Sequence, residues 1–197
     1  MMTTSKKPEE PFTIVIVGDK GVGKTTLLNR FGQSEGAVMA THVDNKEVIA
    51  CFWDVLAPSL SGYKDKLMKK ADAFLVVYDV TKEKSFESIL EWNITMKLKT
   101  IEFPFNVAVS KHVMMMVIGS KNDLEEKRAV SKEHGEEYAK KLGAIAFREM
   151  NTLNFTKEPF LWMLQAVSLR RKFPNREKFM EQLIKEEDEK SSKNAQS

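Results

Sequence analysis

The chain has a single cysteine, Cys51. That excludes an internal disulfide framework and a cysteine zinc cage, and it suits a reducing compartment. Its three histidines, His42, His112 and His134, are scattered with no metal-ligand spacing. Neither charge dominates: 31 Lys and Arg stand against 28 Asp and Glu, a net charge of +3. So small an excess gives no argument for nucleic acid as a partner. No apolar stretch is long enough to span a bilayer, and the start, MMTTSKKPEEPF, has no signal-peptide apolar core. No Gly follows Met1 and the final SSKNAQS has no prenylation cysteine, so no lipid anchor is expected. These absences predict a cytoplasmic protein. Its composition is 42% hydrophobic and 30% charged over 197 residues, about one domain's length and too apolar for a disordered chain.

Apolar strand-like runs alternate with helical patterns along the chain. The runs are Phe12–Val17, Val48–Trp53, Ala73–Tyr78, Val113–Ile118 and Ala144–Phe147. The middle three are nearly continuous in apolar character, as strands buried on both faces are. Helical stretches are Lys24–Phe31, Lys64–Lys70, Glu83–Lys97, Lys132–Leu142 and Glu158–Arg171. Such alternation predicts an α/β fold with a mostly parallel sheet and helices on both faces. The expected organisation is a flexible leader over 1–11, one α/β domain over 12–172, a short amphipathic helix over 173–187 and a disordered tail over 188–197. Pro174 stops the fifth helix, and Phe179, Met180, Leu183 and Ile184 form the stripe of the added one.

The first strand runs straight into Gly18-Asp19-Lys20-Gly21-Val22-Gly23-Lys24-Thr25, a full P-loop pattern followed by the helical TLLNRF. Gly18, Gly21 and Gly23 let the backbone curl so that its N–H groups face phosphates, and the following helix adds the positive end of its dipole. Lys24 is placed to reach the outer phosphates and Thr25 to offer its hydroxyl to Mg²⁺. The phosphate-binding set is thus Gly18, Asp19, Lys20, Gly21, Val22, Gly23, Lys24, Thr25 and Thr26.

Further along, HVMMMVIG ends in Ser120-Lys121-Asn122-Asp123-Leu124. Together with FWDV (Phe52–Val55), LVVYDVTKEKSFESILEW (Leu75–Trp92) and RAVSKEHGEEYAKKLG (Arg128–Gly143), this segment makes the chain resemble the Ras superfamily of small GTPases, in its Rab-like branch, from about Phe12 to Arg171. The resemblance implies the six-stranded P-loop NTPase fold of small G proteins, with GTP or GDP and Mg²⁺ as ligands. It implies that Lys121 covers the base and that Asp123 accepts two hydrogen bonds from guanine; adenine would leave that carboxylate unpaired. Ser120 stands where the family has Asn, so the amide that braces the loop is lost and weaker affinity is expected. The family's second base-contacting loop would fall at Asn151-Thr152-Leu153, where only the Thr152 N–H is available to serve. Asp54 matches the second metal-binding aspartate, so the metal set is Thr25 and Asp54.

The chain departs from the family after Asp54. The usual Thr-Ala-Gly-Gln is replaced by Val55-Leu56-Ala57-Pro58. Pro58 cannot hold a water, and it biases Ala57 towards extended geometry. Counting back from the hairpin turn Val43–Val48 makes Ala37–Val43 a strand, which leaves only Gly32-Gln33-Ser34-Glu35-Gly36 to join it to the first helix. The loop that carries the family's metal-binding Thr is absent by this count, and Thr41 falls within the strand. The expectation is a divergent Rab-like G protein that binds GTP and GDP, hydrolyses GTP very slowly or not at all, and acts by recruiting protein effectors or as a complex subunit, in trafficking or at cilia. A pseudo-GTPase scaffold, and a GTPase completed by a partner's catalytic groups, stay open beside it.

Trp53, Trp92 and Trp162 read as packing residues and Met114–Met116 as core filling. The stretch Asn93–His112 reads as an expansion relative to Rab proteins, either an interaction loop or a neutral insertion. Arg170, Arg171, Lys172, Arg176 and Lys178 read as a solvated helix end, with an acidic lipid or partner as the alternative.

Overall fold

A computed structural model describes residues 10–31, 36–43, 46–55, 63–100, 114–151 and 155–173, together with Lys178, Glu181, Gln182 and Lys185, which are helical. The elements are β1 (Phe12–Val17), α1 (Lys24–Asn29), β2 (Gly36–Val43), β3 (Lys46–Asp54), α2 (Lys64–Lys70), β4 (Ala73–Asp79), α3 (Glu83–Thr100), β5 (Met114–Ser120), α4 (Lys132–Lys141), β6 (Ala146–Met150) and α5 (Glu158–Lys172). The strand order is β2-β3-β1-β4-β5-β6. Only β2 is antiparallel, paired to β3; the other pairings are parallel.

The apolar runs dictate this arrangement. Every residue of β4 and β5 is buried, which is possible only with helices on both faces. Alternate side chains feed two cores. Ile14 and Ile16 of β1 point to one with Leu27, Phe52, Phe160 and Leu164. Val15 and Val17 point to the other with Phe74, Val76, Phe86 and Ile89. Phe31 lies beyond the end of α1, short of the helical limit expected from sequence. Its ring stacks on Phe52 at 4.3 Å and meets Phe160 edge-on at 4.8 Å, tying α1 to β3 and α5. Ser131 caps α4 by accepting the His134 N–H at 3.2 Å. Gly135 lets α4 approach the sheet, since a Cβ there would meet the Tyr78 hydroxyl at 2.6 Å and the Phe147 ring at 2.8 Å.

Two expectations change. Helix α3 continues to Thr100, so the first part of the Asn93–His112 stretch is regular helix; residues 101–113 lie outside the described ones. Arg171 is more than a solvated helix-end cation. It pairs with Asp72 at 2.8 Å, donates to the Glu10 and Pro11 carbonyls at 2.6 and 3.1 Å, and lies 4.3 Å over the Phe12 ring. With the Thr13 N–H donating to Asp72 at 2.8 Å, it ties the end of α5 to the starts of β1 and β4. No helix among the described residues is long and apolar enough to cross a membrane.

Candidate nucleotide site

Strand β1 has β3 on one side and β4 on the other, so the direction of chain winding reverses at β1. In a parallel sheet this opens a crevice beyond the carboxyl end of that strand. The chain leaving β1 there is the Gly18–Thr25 loop. Its glycines take left-handed backbone angles, with φ of 140° at Gly18, 84° at Gly21 and 100° at Gly23. Gly18 has no alternative residue: a Cβ would stand 2.1 Å from the Val77 carbonyl oxygen. The curl ends with Gly23 as the first cap of α1, and the Gly23 carbonyl accepts the Leu27 N–H at 2.9 Å. The unpaired N–H groups of the first turn then face outward for an anion.

Lys24 is buried and folds back over the loop. Its Nζ donates to the Gly18 and Asp19 carbonyls at 2.8 and 2.7 Å. An ammonium has three donors, so one N–H remains for a phosphate oxygen. Burial lowers the Lys24 pKa, against the charges of Asp54 and Asp19, which act to raise it. Asp54, buried at the end of β3, is therefore close enough to Lys24 to be felt electrostatically.

The Ser120–Asp123 segment begins at the end of β5. Lys121 has φ 62°, the left-handed region that a side chain enters at a cost of about 1–2 kcal/mol. Two bonds hold it there: its Nζ donates to the Gly21 carbonyl at 2.9 Å and to Asp79 Oδ2 at 2.6 Å. Asp79 also accepts the Thr81 N–H at 3.0 Å and the Thr81 hydroxyl at 2.6 Å. Burial would raise the Asp79 pKa, but the hydrogen bonds from Lys121 and Thr81 outweigh it and hold the carboxyl below the ordinary range.

Ser120 changes the expectation attached to it. Its hydroxyl is fully buried and lies 2.6 Å from the Val22 carbonyl and 2.7 Å from the Tyr78 carbonyl. With one proton it donates to one of them at a time. The brace between the base segment and the phosphate loop is thus carried by a hydroxyl where an amide is missing. Ser120→Ala is expected to remove it, at about 1–3 kcal/mol for a buried acceptor left without its donor. A matching rise in the GDP dissociation constant would check this; an unchanged constant would discount the brace.

Gly21, Gly23, Lys24, Thr25, Thr26, Lys121 and Asp123 line one pocket of about 380 Å³ with Leu124 and Asn151. The two motifs that sequence reading singled out separately therefore share a cavity. Gly18, Asp19, Lys20 and Val22 build the loop behind it and do not line it. Thr152 lies outside the described residues. A larger hollow of about 1110 Å³ sits at the other end of the sheet, lined in part by Lys46, Lys69, Lys70 and the Arg171–Asp72 pair. It contains no residue of the phosphate loop, so chemistry and not size selects the smaller one. Among the described residues no group of three His, Cys, Asp or Glu could hold a metal. Thr25 lines the pocket; Asp54 does not, and acts on the site through its charge on Lys24. A hydroxyl and a carboxylate are donor types that suit Mg²⁺ with phosphate oxygens and water as its other ligands.

Sequence reading missed Asp79, Thr81, Ser88 and Trp92 as members of this neighbourhood. Asp79 had a signal: like Asp54, it is a carboxylate ending an apolar strand. Trp92 is half-buried as expected, yet its indole N–H donates to the phosphate-loop residue Asp19.

The fold and the site define a P-loop nucleotide-binding protein of the small G-protein architecture. A model of the Ras family matches residues 13–169. The chain is 32% identical over 189 residues to the Ras-related protein RABA5c of Arabidopsis thaliana, covering 87% of this chain and 84% of the relative. It is 30% identical over 172 residues to the Ras-related protein Rab-11C of Dictyostelium discoideum, covering 79% and 70%. The chain belongs to the Ras family, as a Rab-like GTP-binding protein.

Proposed function

We propose that this protein binds GDP and GTP with Mg²⁺ in the pocket beyond β1, turns GTP over very slowly or not at all, and acts by recruiting protein partners. The observation that carries the reading is the shared cavity, lined by Gly21, Gly23 and Lys24 together with Lys121 and Asp123. The loop N–H groups and Lys24 hold the phosphates. Thr25 and Asp54 would hold the metal, which when bound would neutralise phosphate charge. Lys121 flanks the base and Asp123 accepts from its N–H groups.

Weak turnover is supported from two directions. Pro58 stands where a water-positioning Gln is needed, and a missing catalytic group of this kind costs orders of magnitude in rate. Thr41, the remaining candidate for sensing the last phosphate, pairs with Val48, whereas Gly36 pairs with Trp53 beside Asp54. At the usual rise per residue Thr41 is about 17 Å further along the strand from the site. Only residues 32–35 join Phe31 to β2, leaving little chain to supply another Thr. With so few sensors, GDP and GTP should leave the protein in nearly the same shape.

Titration with GDP, GTP and ATP, with and without Mg²⁺, tests the reading. GDP and GTP should bind within a few-fold of each other, ATP at least about a hundredfold more weakly. Equal ATP binding would overturn the base assignment. Release of phosphate from GTP at ordinary small-GTPase rates would overturn the weak-turnover part, and release only with cell extract would point to a partner that completes the site.

A further inference from the structure

Asp19, the second residue of the phosphate loop, turns its carboxylate away from the pocket and onto α3. Oδ2 accepts the Ser88 hydroxyl at 2.8 Å and Oδ1 accepts the Trp92 indole N–H at 3.2 Å. Ser88 and Trp92 are four residues apart, one turn along the same helix face. The main-chain carbonyl of the same aspartate accepts Lys24 Nζ at 2.7 Å. One residue thus joins α3, through its side chain, to the phosphate-binding lysine, through its backbone.

The electrostatics give the contact a purpose. A carboxylate in a phosphate loop repels a polyphosphate. Two donors from α3 satisfy both oxygens of Asp19 and hold its charge against the helix. They also fix the peptide plane whose carbonyl orients Lys24. Ser88 carries a built-in alternative: its hydroxyl has one proton, and the Lys84 carbonyl lies 3.0 Å away as a second acceptor. Donation to Lys84 would release that side of Asp19.

We propose that Ser88 and Trp92 are positioning residues that clamp the phosphate loop to α3 and set how long a bound nucleotide stays. The proposal rests on the guanine-nucleotide reading above and adds to it the element through which retention is controlled.

The test uses the full chain loaded with fluorescent GDP and chased with excess unlabelled GDP. In Ser88→Ala and Trp92→Phe the release rate should rise several-fold, and in the double variant by about tenfold or more, as loss of hydrogen bonds to a charged acceptor implies. Association should change less than about twofold, because the cavity itself is intact. Ser88→Thr, which keeps the hydroxyl, should restore slow release. In an Asp19→Ala background the same two substitutions should add almost nothing, since their target is gone. The Trp92 indole N–H resonance should shift on GDP binding in the wild type and move in Asp19→Ala without ligand. Wild-type release from the double variant would overturn the clamp while leaving nucleotide binding in place. Effects that persist undiminished in the Asp19→Ala background, or that Ser88→Thr fails to restore, would also overturn it, because the residues would then act by general packing. Failure of the wild type to bind GDP at all would overturn the nucleotide reading, and the clamp with it.

Discussion

Lys24→Ala is expected to lower the affinity for GDP and GTP by at least about a hundredfold, with the fold retained. A point charge on phosphate in a partly buried site is worth several kilocalories per mole, and here the ammonium does two jobs at once. It bonds the Gly18 and Asp19 carbonyls from within the loop, and it keeps a third N–H for the ligand. Alanine removes the charge that meets the phosphates and releases two carbonyls whose negative ends then face an anion. Both changes act against binding. Lys24 makes its hydrogen bonds to the loop itself, so the apolar side chains of the two cores all remain. Isothermal titration with GDP reads the affinity, and a melting curve without nucleotide reads the fold. Binding within tenfold of wild type would mean that the phosphates are held elsewhere.

Gly18→Ala is expected to be more damaging than the same substitution at Gly21. Its φ of +140° is a region that side chains rarely enter, and the new carbon would stand 2.1 Å from the Val77 carbonyl oxygen. That oxygen belongs to the backbone of a fully buried central strand, so neither partner can yield. Backbone strain of about 1–3 kcal/mol and overpacking of a similar size add to roughly 2–6 kcal/mol, a large share of a domain's stability. Gly21→Ala is the matched comparison. Its φ of +84° carries strain, but nothing lies within 4 Å of the added carbon, so about 1–2 kcal/mol is expected. Denaturant unfolding of both variants separates the steric part from the strain. Equal losses would mean that the β1–β4 contact relaxes freely.

The central strands were legible because parallel-sheet strands are apolar on both faces, and that pattern is local; β6, expected at Ala144–Phe147, lies at Ala146–Met150 and is only partly buried. The reading of β1 from FTIVIV and of α2 from KDKLMKK agrees with the structure residue for residue. Counting back through the hairpin put β2 at Ala37–Val43, and the strand begins one residue earlier, at Gly36. The limits of α1 and α3 were less legible: tertiary packing draws Phe31 into an aromatic cluster beyond the helix, and nothing in the stretch after Lys97 marks Thr100 as an end.

The site divides in the same way. The phosphate curl at Gly18–Thr26 was visible from its spacing, and Ser120–Asp123 through the resemblance to small GTPases, because each is made by neighbouring residues. Their meeting in one cavity depended on β1 and β5 standing one strand apart, with β4 between them. The Ser120 brace to Val22 spans 98 positions, and the Ser88 and Trp92 bonds to Asp19 span 69 and 73. No periodicity encodes such pairs. The sequence by itself determined most of the elements and the phosphate curl, because each is a property of residues close along the chain. Only the tertiary structure decided that a serine hydroxyl stands in for the missing amide and that a tryptophan taken for packing grips the phosphate loop, because strand order and helix placement alone set which distant donors and acceptors come within three ångströms.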